Sequence, residues 1–537
     1  MSFDCLAIFF ILAAPYLNHI EYHGFVLELP NLFVFLILLF VSMGLATLLR
    51  VVPFPLLRVS VLTGLLLIFI DIEFSWIGSW GGKLLATGLS VFLLTWMLRR
   101  HISQILSVIF GAIFLGTLAI SVTNLLSHNN LVESRKPADP TTDLPIYVHI
   151  ILDELMGTAG FDEERPTQRS IKNEMLTFFI ENNFRIFRRA YSPYYDSINS
   201  IATTVNLTVT ENPEKLFIHQ EDFQYELLKN TYLSEIHAKG YNINIYQSTY
   251  MDFCNSIDEI SQCLTYRPDG ATSTALSPLT NYEKTIKILA LYNSQSFFHK
   301  ELKRFYTRLR QYLKFQDVLP AWEKWAKKLG PIPVLPVFDR LIEDISHAKR
   351  GTMFFAHLLI PHFPYSVNSA CEIRRPILEW ETNVLGFTTK SIGQSNTAES
   401  QIKKYKQYIA QIQCALMKVE KIFDTLKARG LFEDAIIIIH GDHGSRIVRT
   451  QPVIENKHLL TTQDHLDAFS AFFAVKSPKI PPGYSMRIAA LPELLSDYVS
   501  GSLHNPKLAN DKKNPFVFLR TVKDETTLTK VPMPFHP

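Results

Sequence analysis

The sequence predicts an α/β domain with a central, mostly parallel sheet, set behind an N-terminal bundle of about five transmembrane helices. Three observations carry this. Charged residues are sparse from Cys5 to Ser127 and frequent from Asn130 onward. The first part holds apolar stretches of membrane-spanning length. The second alternates short apolar runs, each ending in polar or ionisable residues, with amphipathic helical patterns.

A spanning helix needs about 20 mostly apolar residues. Leu29 to Leu49 has no charged residue, and Ile102 to Ser127 is similar and longer. Cys5 to Asn18 is shorter and contains Pro15. Val59 to Ile70 extends through Phe74–Ile77 if Asp71 and Glu73 sit at the interface. Leu84 to Leu98 extends backward past Lys83, whose long stem can snorkel. No small-residue cleavage site follows the first stretch, which argues against a signal peptide. Arg50 and Arg58 lie between the second and third spans, and Arg99 and Arg100 between the fourth and fifth. Positive loops stay in the cytoplasm. With five spans, the C-terminal domain is expected outside, on the periplasmic or extracellular face of the cell (inner) membrane. The expected division is 1–127 for the membrane part, 128–144 for a linker with Pro137 and Pro140, and 145–537 for the soluble domain.

A formal net charge of +3, with no dense basic run, excludes nucleic acid as the main partner. The bilayer is the expected partner instead. Of five cysteines, Cys254 and Cys263 lie close together, while Cys371 and Cys414 are far apart in sequence. No CxxC or Cys/His cluster points to a zinc knuckle. Outside the cytosol, a Cys254–Cys263 disulfide competes evenly with two unrelated buried thiols.

In the soluble part, Tyr147–Leu152 runs into Asp153 and Glu154. Met353–Ile360 runs into Pro361 and His362, and Ala435–Ile439 into His440, Gly441, Asp442 and His443. Phe469–Val475 is a fourth run, and Ser400–Arg429 reads as an amphipathic helix. Ligands of parallel sheets bind beyond the carboxyl ends of the strands, where these polar clusters fall. Between Thr208 and Ala348 the pattern is weaker. Phe297–Lys314 reads as a basic, aromatic-rich helix and Pro331–Val337 as a proline-rich connector. Such a segment is either packing against the sheet or a flap over a lipid-linked substrate, and a charged face is usually only solvated.

Asp442 and His443 follow four isoleucines and His440–Gly441. A carboxylate and an imidazole at a strand end can share a divalent cation, although a polar turn has the same residues. Asp153 and Glu154 repel each other unless a cation lies nearby, although a helix N-terminus also favours acids.

Taken together and in order, YVHIILDELMG (Tyr147–Gly157), AYSPYYDSINSIATTVNL (Ala190–Leu207), HLLIPHFPY (His357–Tyr365), IIIIHGDHG (Ile436–Gly444) and FSAFFAVKSP (Phe469–Pro478) resemble the sulfatase-like branch of the sulfatase/alkaline-phosphatase superfamily. Five spans before such a domain look like the membrane phosphoethanolamine transferases and the lipoteichoic-acid synthases. The resemblance covers about Pro145 to Lys479 and implies a sulfatase-like α/β fold.

It also implies roles. Asp153 matches the first acidic metal ligand, and Asp442 and His443 the second acid and its neighbouring histidine. Ser197 occupies the place of a hydroxyl nucleophile that also touches the metal, with Ser200 one helical turn on as the alternative; threonine is more usual there. His362 matches a histidine that helps bind the transferred group. His458, or else His465, matches a later histidine beyond the DHG motif. The implied cofactor is a divalent metal ion, Zn or Mn. The implied substrate is a phospholipid or an envelope glycan. One departure matters. Formylglycine-dependent sulfatases need Cys or Ser followed by x-P-x-R, and neither Ser192 nor Ser197 has that sequence. The resemblance therefore implies serine attack on phosphorus, transferring or hydrolysing a phosphoethanolamine- or phosphoglycerol-type group. The alternatives are a sulfuric-ester or phosphodiester hydrolase and a catalytically degenerate envelope scaffold.

Overall fold

The computed structural model describes residues 2–22, 29–52, 54–74, 81–127, 132–135, 143–220, 224–257, 260–266, 279–285, 332–375, 396–504, 514–522 and 527–535. The chain divides into two compact units, Met1–Asn130 with Asp269–Lys328, and Leu131–Pro268 with Leu329–Pro537.

The first unit contains helices α1 (Phe3–Tyr22), α2 (Leu29–Val51), α3 (Pro55–Phe74), α4 (Gly81–Met97) and α5 (Ile102–Ser127). Among the described residues, three stretches, Leu29–Val51, Pro55–Ile72 and Ile102–Ile120, are long and apolar enough to cross a membrane; Phe3–His19 and Ala86–Met97 are shorter apolar helices. The surface is apolar, with Phe40, Leu89, Val108 and Leu115 exposed. Polar groups turn inward instead. Tyr16 donates to Asn31 Oδ1 at 2.8 Å, and the Thr63 and Thr95 hydroxyls lie 2.7 Å apart. Arg58 donates to Asp4 Oδ1 at 2.8 Å and to Ser103 Oγ at 2.9 Å. That contact joins the starts of α1, α3 and α5, so these three helices begin at one end of the bundle, as alternating up-and-down helices require.

The second unit is built on a nine-stranded sheet. In chain order its elements are β1 (Val132–Arg135), β2 (Tyr147–Leu152), helix α6 (Pro166–Glu181), β3 (Arg185–Tyr191) and α7 (Ser197–Val205). Then come β4 (Phe217–Ile218), β5 (Tyr225–Leu227), α8 (Thr231–Ala238), β6 (Asn242–Ser248), β7 (Met251–Asp252) and β8 (Gln262–Tyr266). The remainder is α9 (Val334–His347), β9 (Thr352–Leu358), α10 (Ala398–Ala428), β10 (Ile436–Gly441), α11 (Thr462–Phe469), β11 (Phe473–Lys476), β12 (Gly483–Ala490) and α12 (Leu491–Val499), followed by the hairpin strands β13 (Phe516–Arg520) and β14 (Leu528–Pro532).

The strand order is β1-β8-β6-β9-β2-β10-β11-β3-β12, with β4, β5 and β7 in a small sheet of their own. Only β1 and β11 run against the others. The central strands β2 and β9 are buried along their whole length. Burial on both faces explains why they read as continuous apolar runs rather than alternating ones. Residues of α7, α8 and α12, including Ile201, Leu233 and Leu494, fill the core on one side. Aromatic contacts such as Phe178–Phe423 join α6 to α10 in a second layer.

Register sets the site. Leu152 pairs with Gly441 on one side and Leu358 on the other. The residues that follow in β2 and β10, Asp153 and Asp442, therefore leave the sheet side by side. Strand β3 is parallel to this group, so the turn after it and the start of α7 reach the same end.

Three local expectations change. Val334–Val337 belongs to α9 rather than to a connector: Pro333 stands just before the first helical residue and Pro336 sits in the first turn, where a missing N–H costs little. Within the expected linker, Val132–Arg135 pairs with β8 as an edge strand. The last apolar run enters the sheet only at Phe473, because Thr461 and Asp464 form a capping box that commits Thr462–Phe469 to helix. Phe297–Lys314 lies outside the described residues.

Candidate active site

Ser197 is the first residue of α7. Asp196 precedes it with extended backbone and accepts the Asn199 N–H at 3.0 Å, so the aspartate caps the helix and the serine hydroxyl is left for other work. Ser197 is buried, and its Oγ lies 3.1 Å from His443 Nε2. Ser200 is placed differently. Its hydroxyl donates to the Asp442 carbonyl and accepts from Ser192 Oγ at 2.7 Å, which makes it a brace between α7 and the loop after β10.

His443 Nδ1 donates to the Gly444 carbonyl at 2.8 Å, which leaves the Nε2 lone pair facing the cluster, the tautomer a metal-binding imidazole needs. Asp442 Oδ1 accepts the backbone N–H groups of Glu154 at 2.9 Å and His443 at 3.0 Å. Its Oδ2 lies 3.1 Å from His443 Nε2 and has no hydrogen-bond partner. Asp153 Oδ2 accepts from His357 Nε2 at 3.2 Å, while Oδ1 is buried without a partner.

One ligand atom each from Asp153, Asp442 and His443 lie within 4.8 Å of one another, and the same holds for Asp153, Glu154 and His362. Burial pushes the Asp442 carboxyl up, but His443 and then Arg446 outweigh it and hold it well below the usual carboxylate range. Burial and Asp442 likewise push Asp153 up, and His362 and His357 bring it below its ordinary value. Burial drives Glu154 well above its usual range; Arg446 opposes this, and Asp153 and Asp442 add to it.

Buried carboxylate oxygens without partners are rare and call for an explanation. Here they converge with an imidazole lone pair and a hydroxyl. Two carboxylates, one imidazole and an adjacent hydroxyl are a donor set that fits a small divalent cation such as Zn²⁺ or Mn²⁺. Asp153, Asp442 and His443 would hold it, with Ser197 beside it.

Helix α10 holds the surrounding loops. Tyr408 donates to the Glu154 carbonyl at 2.5 Å and accepts the Met156 N–H at 3.0 Å, fixing a turn in which Glu154 adopts φ 65°. One turn on, Gln411 donates to the carbonyls of Pro361 at 2.9 Å and His362 at 3.0 Å, and accepts the Ser366 N–H at 2.8 Å. Disulfide Cys371–Cys414 ties the same loop to α10, and Cys254–Cys263 closes a second bridge. His362 is thereby held 3.8 Å from Glu154 Oε1.

The structure therefore brings together Asp153, Ser197, His362, Asp442 and His443. It does not bring in the later histidine. His458 is exposed on the turn after Ile454–Asn456, because buried Asn456 anchors that segment and the residues after it run along the surface. His465 instead donates from Nδ1 to the Thr461 carbonyl at 3.0 Å. The later cationic group is Arg446, which donates through Nε to the Tyr195 carbonyl at 2.9 Å and through Nη2 to Ser197 Oγ at 3.2 Å and to His443 Nε2. His357 and Arg446 are the two site residues that sequence reasoning missed.

Glycine is required where these loops cross. A Cβ on Gly444 would overlap the Asp467 carbonyl, and one on Gly441 the Leu155 carbonyl. Backbone atoms cannot rotate away as a side chain can. Gly444→Ala is expected to lower the unfolding free energy by about 1–3 kcal/mol, as overpacking does, and to displace His443. Thermal unfolding of the purified protein checks the first effect; an unchanged Tm would contradict the crossing described.

No family model matches the chain, and no curated protein matches it. Solved structures similar to it include the C-terminal periplasmic domain of EcEptC from Escherichia coli in complex with Zn (11% identity, TM-score 0.38, covering 74% of this chain and 95% of that one). Others are the phosphonate monoester hydrolase of Agrobacterium radiobacter (12%, TM-score 0.40, 72% and 88%) and BT1596, a 2-O GAG sulfatase (11%, TM-score 0.41, 70% and 78%). At this level of identity and superposition the likenesses carry no argument about activity, which rests on the side chains above.

Proposed function

We propose that the chain is a membrane-anchored, metal-dependent enzyme that transfers or hydrolyses a phospho-group outside the cytoplasm through Ser197. The observation that carries this is the Ser197 hydroxyl, at the start of α7 and 3.1 Å from Nε2 of His443, the imidazole that converges with the Asp153 and Asp442 carboxylates. A bound cation would lower the energy of the serine oxygen as a nucleophile and offset charge developing on phosphorus. Ser197 Oγ loses its proton and forms the O–P bond. The ester P–O bond to the leaving alcohol breaks, and the leaving oxygen takes up a proton. The group then passes from Ser197 to an acceptor hydroxyl or to water. His362, held by Gln411 beside Glu154, is positioned to contact the transferred group.

A phosphoethanolamine- or phosphoglycerol-type substrate drawn from a membrane lipid suits the apolar helices; an envelope glycan is the alternative acceptor or substrate. One observation favours a competing reading. The Arg446 guanidinium touches His443 Nε2, so an internal cation could replace the metal in a non-catalytic scaffold. Metal analysis of the purified full chain separates the two. About one Zn or Mn per chain, with release of nitrophenol from bis(4-nitrophenyl) phosphate but not from 4-nitrophenyl sulfate, supports the enzyme. No bound metal and no turnover overturn it.

The arginine loops favour a second unit outside the cytoplasm, and its two disulfides support an oxidising compartment. A reporter active only in the cytosol, fused after Pro537, should be silent. Strong reporter activity would reverse the topology.

A further inference from the structure

Strand β13 lies far along the chain from the site, yet it is joined to the turn that precedes Ser197. Pro193 has no N–H to offer, and its carbonyl accepts the Phe518 N–H at 2.8 Å. The Phe518 ring stacks on Tyr194, with centroids 5.2 Å apart and planes at 20°. The Arg520 guanidinium lies 4.9 Å from the centroid of the Tyr195 ring. Burial pushes the Tyr195 hydroxyl up to about 12, so Arg520 faces a neutral ring in a cation–π contact. Pro193, Tyr194 and Tyr195, the residues that lead into the helix cap Asp196, are each held by β13.

The two faces of this strand do different things, because side chains alternate along it. Val517 and Leu519 join Tyr191 and Phe469 in an apolar cluster, which is ordinary core. Phe518 and Arg520, on the other face, meet the turn. The strand also clips a second loop. Arg520 forms a parallel bridge with Val453, and the Val522 N–H donates to Glu455 Oε1 at 2.9 Å. On the sheet side the turn is held by the Ser192 N–H, which donates to the Phe469 carbonyl at 2.8 Å. The turn is thus gripped between the sheet and the hairpin, immediately before the residue whose hydroxyl faces His443.

We infer that β13, through Phe518 and Arg520, is a positioning element for attack by Ser197: it fixes the turn that sets where the serine oxygen stands relative to His443. This rests on Ser197 being the nucleophile, and the experiment separates the two failures. It uses the full chain in detergent and measures turnover of bis(4-nitrophenyl) phosphate, metal content, and hydrogen–deuterium exchange of the peptides covering Ser192–Asn199. Arg520→Gln keeps much of the stem and removes the cation. It should hold its metal as wild type does and keep KM within about twofold. It should lose on the order of 10- to 100-fold in kcat, since a small displacement of a reacting group costs about that much. Exchange should quicken in those peptides and not in the central strands β2 and β10. Arg520→Lys restores a cation over the ring and should recover part of kcat. Phe518→Leu removes the stacking alone, should show the same pattern, and decides the matter where Arg520→Gln does not fold. Values of kcat within about twofold of wild type in both Arg520→Gln and Phe518→Leu overturn the inference, and so does a loss of kcat with unchanged exchange at the turn. Faster exchange throughout the second unit also overturns it, because the hairpin would then be a general stabiliser. If wild type turns nothing over, the proposed function fails by itself and the exchange pattern still decides the hairpin. Quickening confined to the turn then sustains the inference, and its absence overturns it.

Discussion

Ser197→Ala should abolish turnover, by at least about 10⁴-fold in kcat, the order seen when an enzyme loses a covalent nucleophile. It should do so with little change in thermal stability. The helix keeps its cap, because Asp196 and not Ser197 accepts the Asn199 N–H. Ser200→Ala should behave in the opposite way. Its hydroxyl braces the Asp442 carbonyl and Ser192 Oγ; Ser192 keeps its bonds to Tyr194, but the buried Asp442 carbonyl loses this donor, which costs about 1–3 kcal/mol of stability, while most activity per folded molecule survives. Steady-state kinetics and thermal unfolding on the same two variants check both halves. Full activity in Ser197→Ala would transfer the nucleophile to another residue, Ser200 first.

Asp442→Asn should strip the metal and, with it, the activity. The substitution is gentle on the fold. The amide oxygen can still accept the Glu154 and His443 backbone N–H groups that now bond to Oδ1. What changes is the other atom. In place of a charged oxygen without a hydrogen-bond partner, a neutral NH₂ group with no lone pair to offer a metal would stand 3.1 Å from His443 Nε2. The expected result is a folded protein with metal content below about a tenth of an ion per chain and kcat reduced by 10³-fold or more, about the loss on removing one key transition-state stabiliser. Metal analysis beside a melting curve decides it. Wild-type metal content in Asp442→Asn would show that the ion, if present, sits elsewhere.

The parts of the molecule that read directly from the chain share a physical cause. Strands β2 and β10 are central and almost wholly buried, so they are largely apolar, with His149 and His440 the exceptions; Asp153 and Asp442 stand out as the charged residues that follow them. Helix α10 is long enough for its periodicity to be unambiguous. The start of α7 was legible because Pro193 and the tyrosines before Asp196 disfavour helix. Arg446 was not legible, since its reach depends on one backbone torsion with positive φ that its neighbours do not announce. His357 lies inside an apolar run and reads as strand. Tyr408 and Gln411 lie within the amphipathic Ser400–Arg429 pattern, which does not mark them as the residues whose hydrogen bonds hold two site loops. The Cys371–Cys414 bridge spans 43 residues, and nothing in that spacing marks a pair. His458 failed for the converse reason: order along the chain after DHG carries no information on whether a loop turns inward or runs along the surface.

The central claim is that Ser197 carries the transferred group in a metal-dependent step. The most direct measurement is to quench the full chain during turnover of bis(4-nitrophenyl) phosphate and map covalent adducts by peptide mass analysis. The account predicts a phosphoryl adduct on the peptide containing Ser197, absent after chelation and absent in Ser197→Ala. Turnover with no adduct on that peptide, or an adduct that persists unchanged in Ser197→Ala, would contradict it.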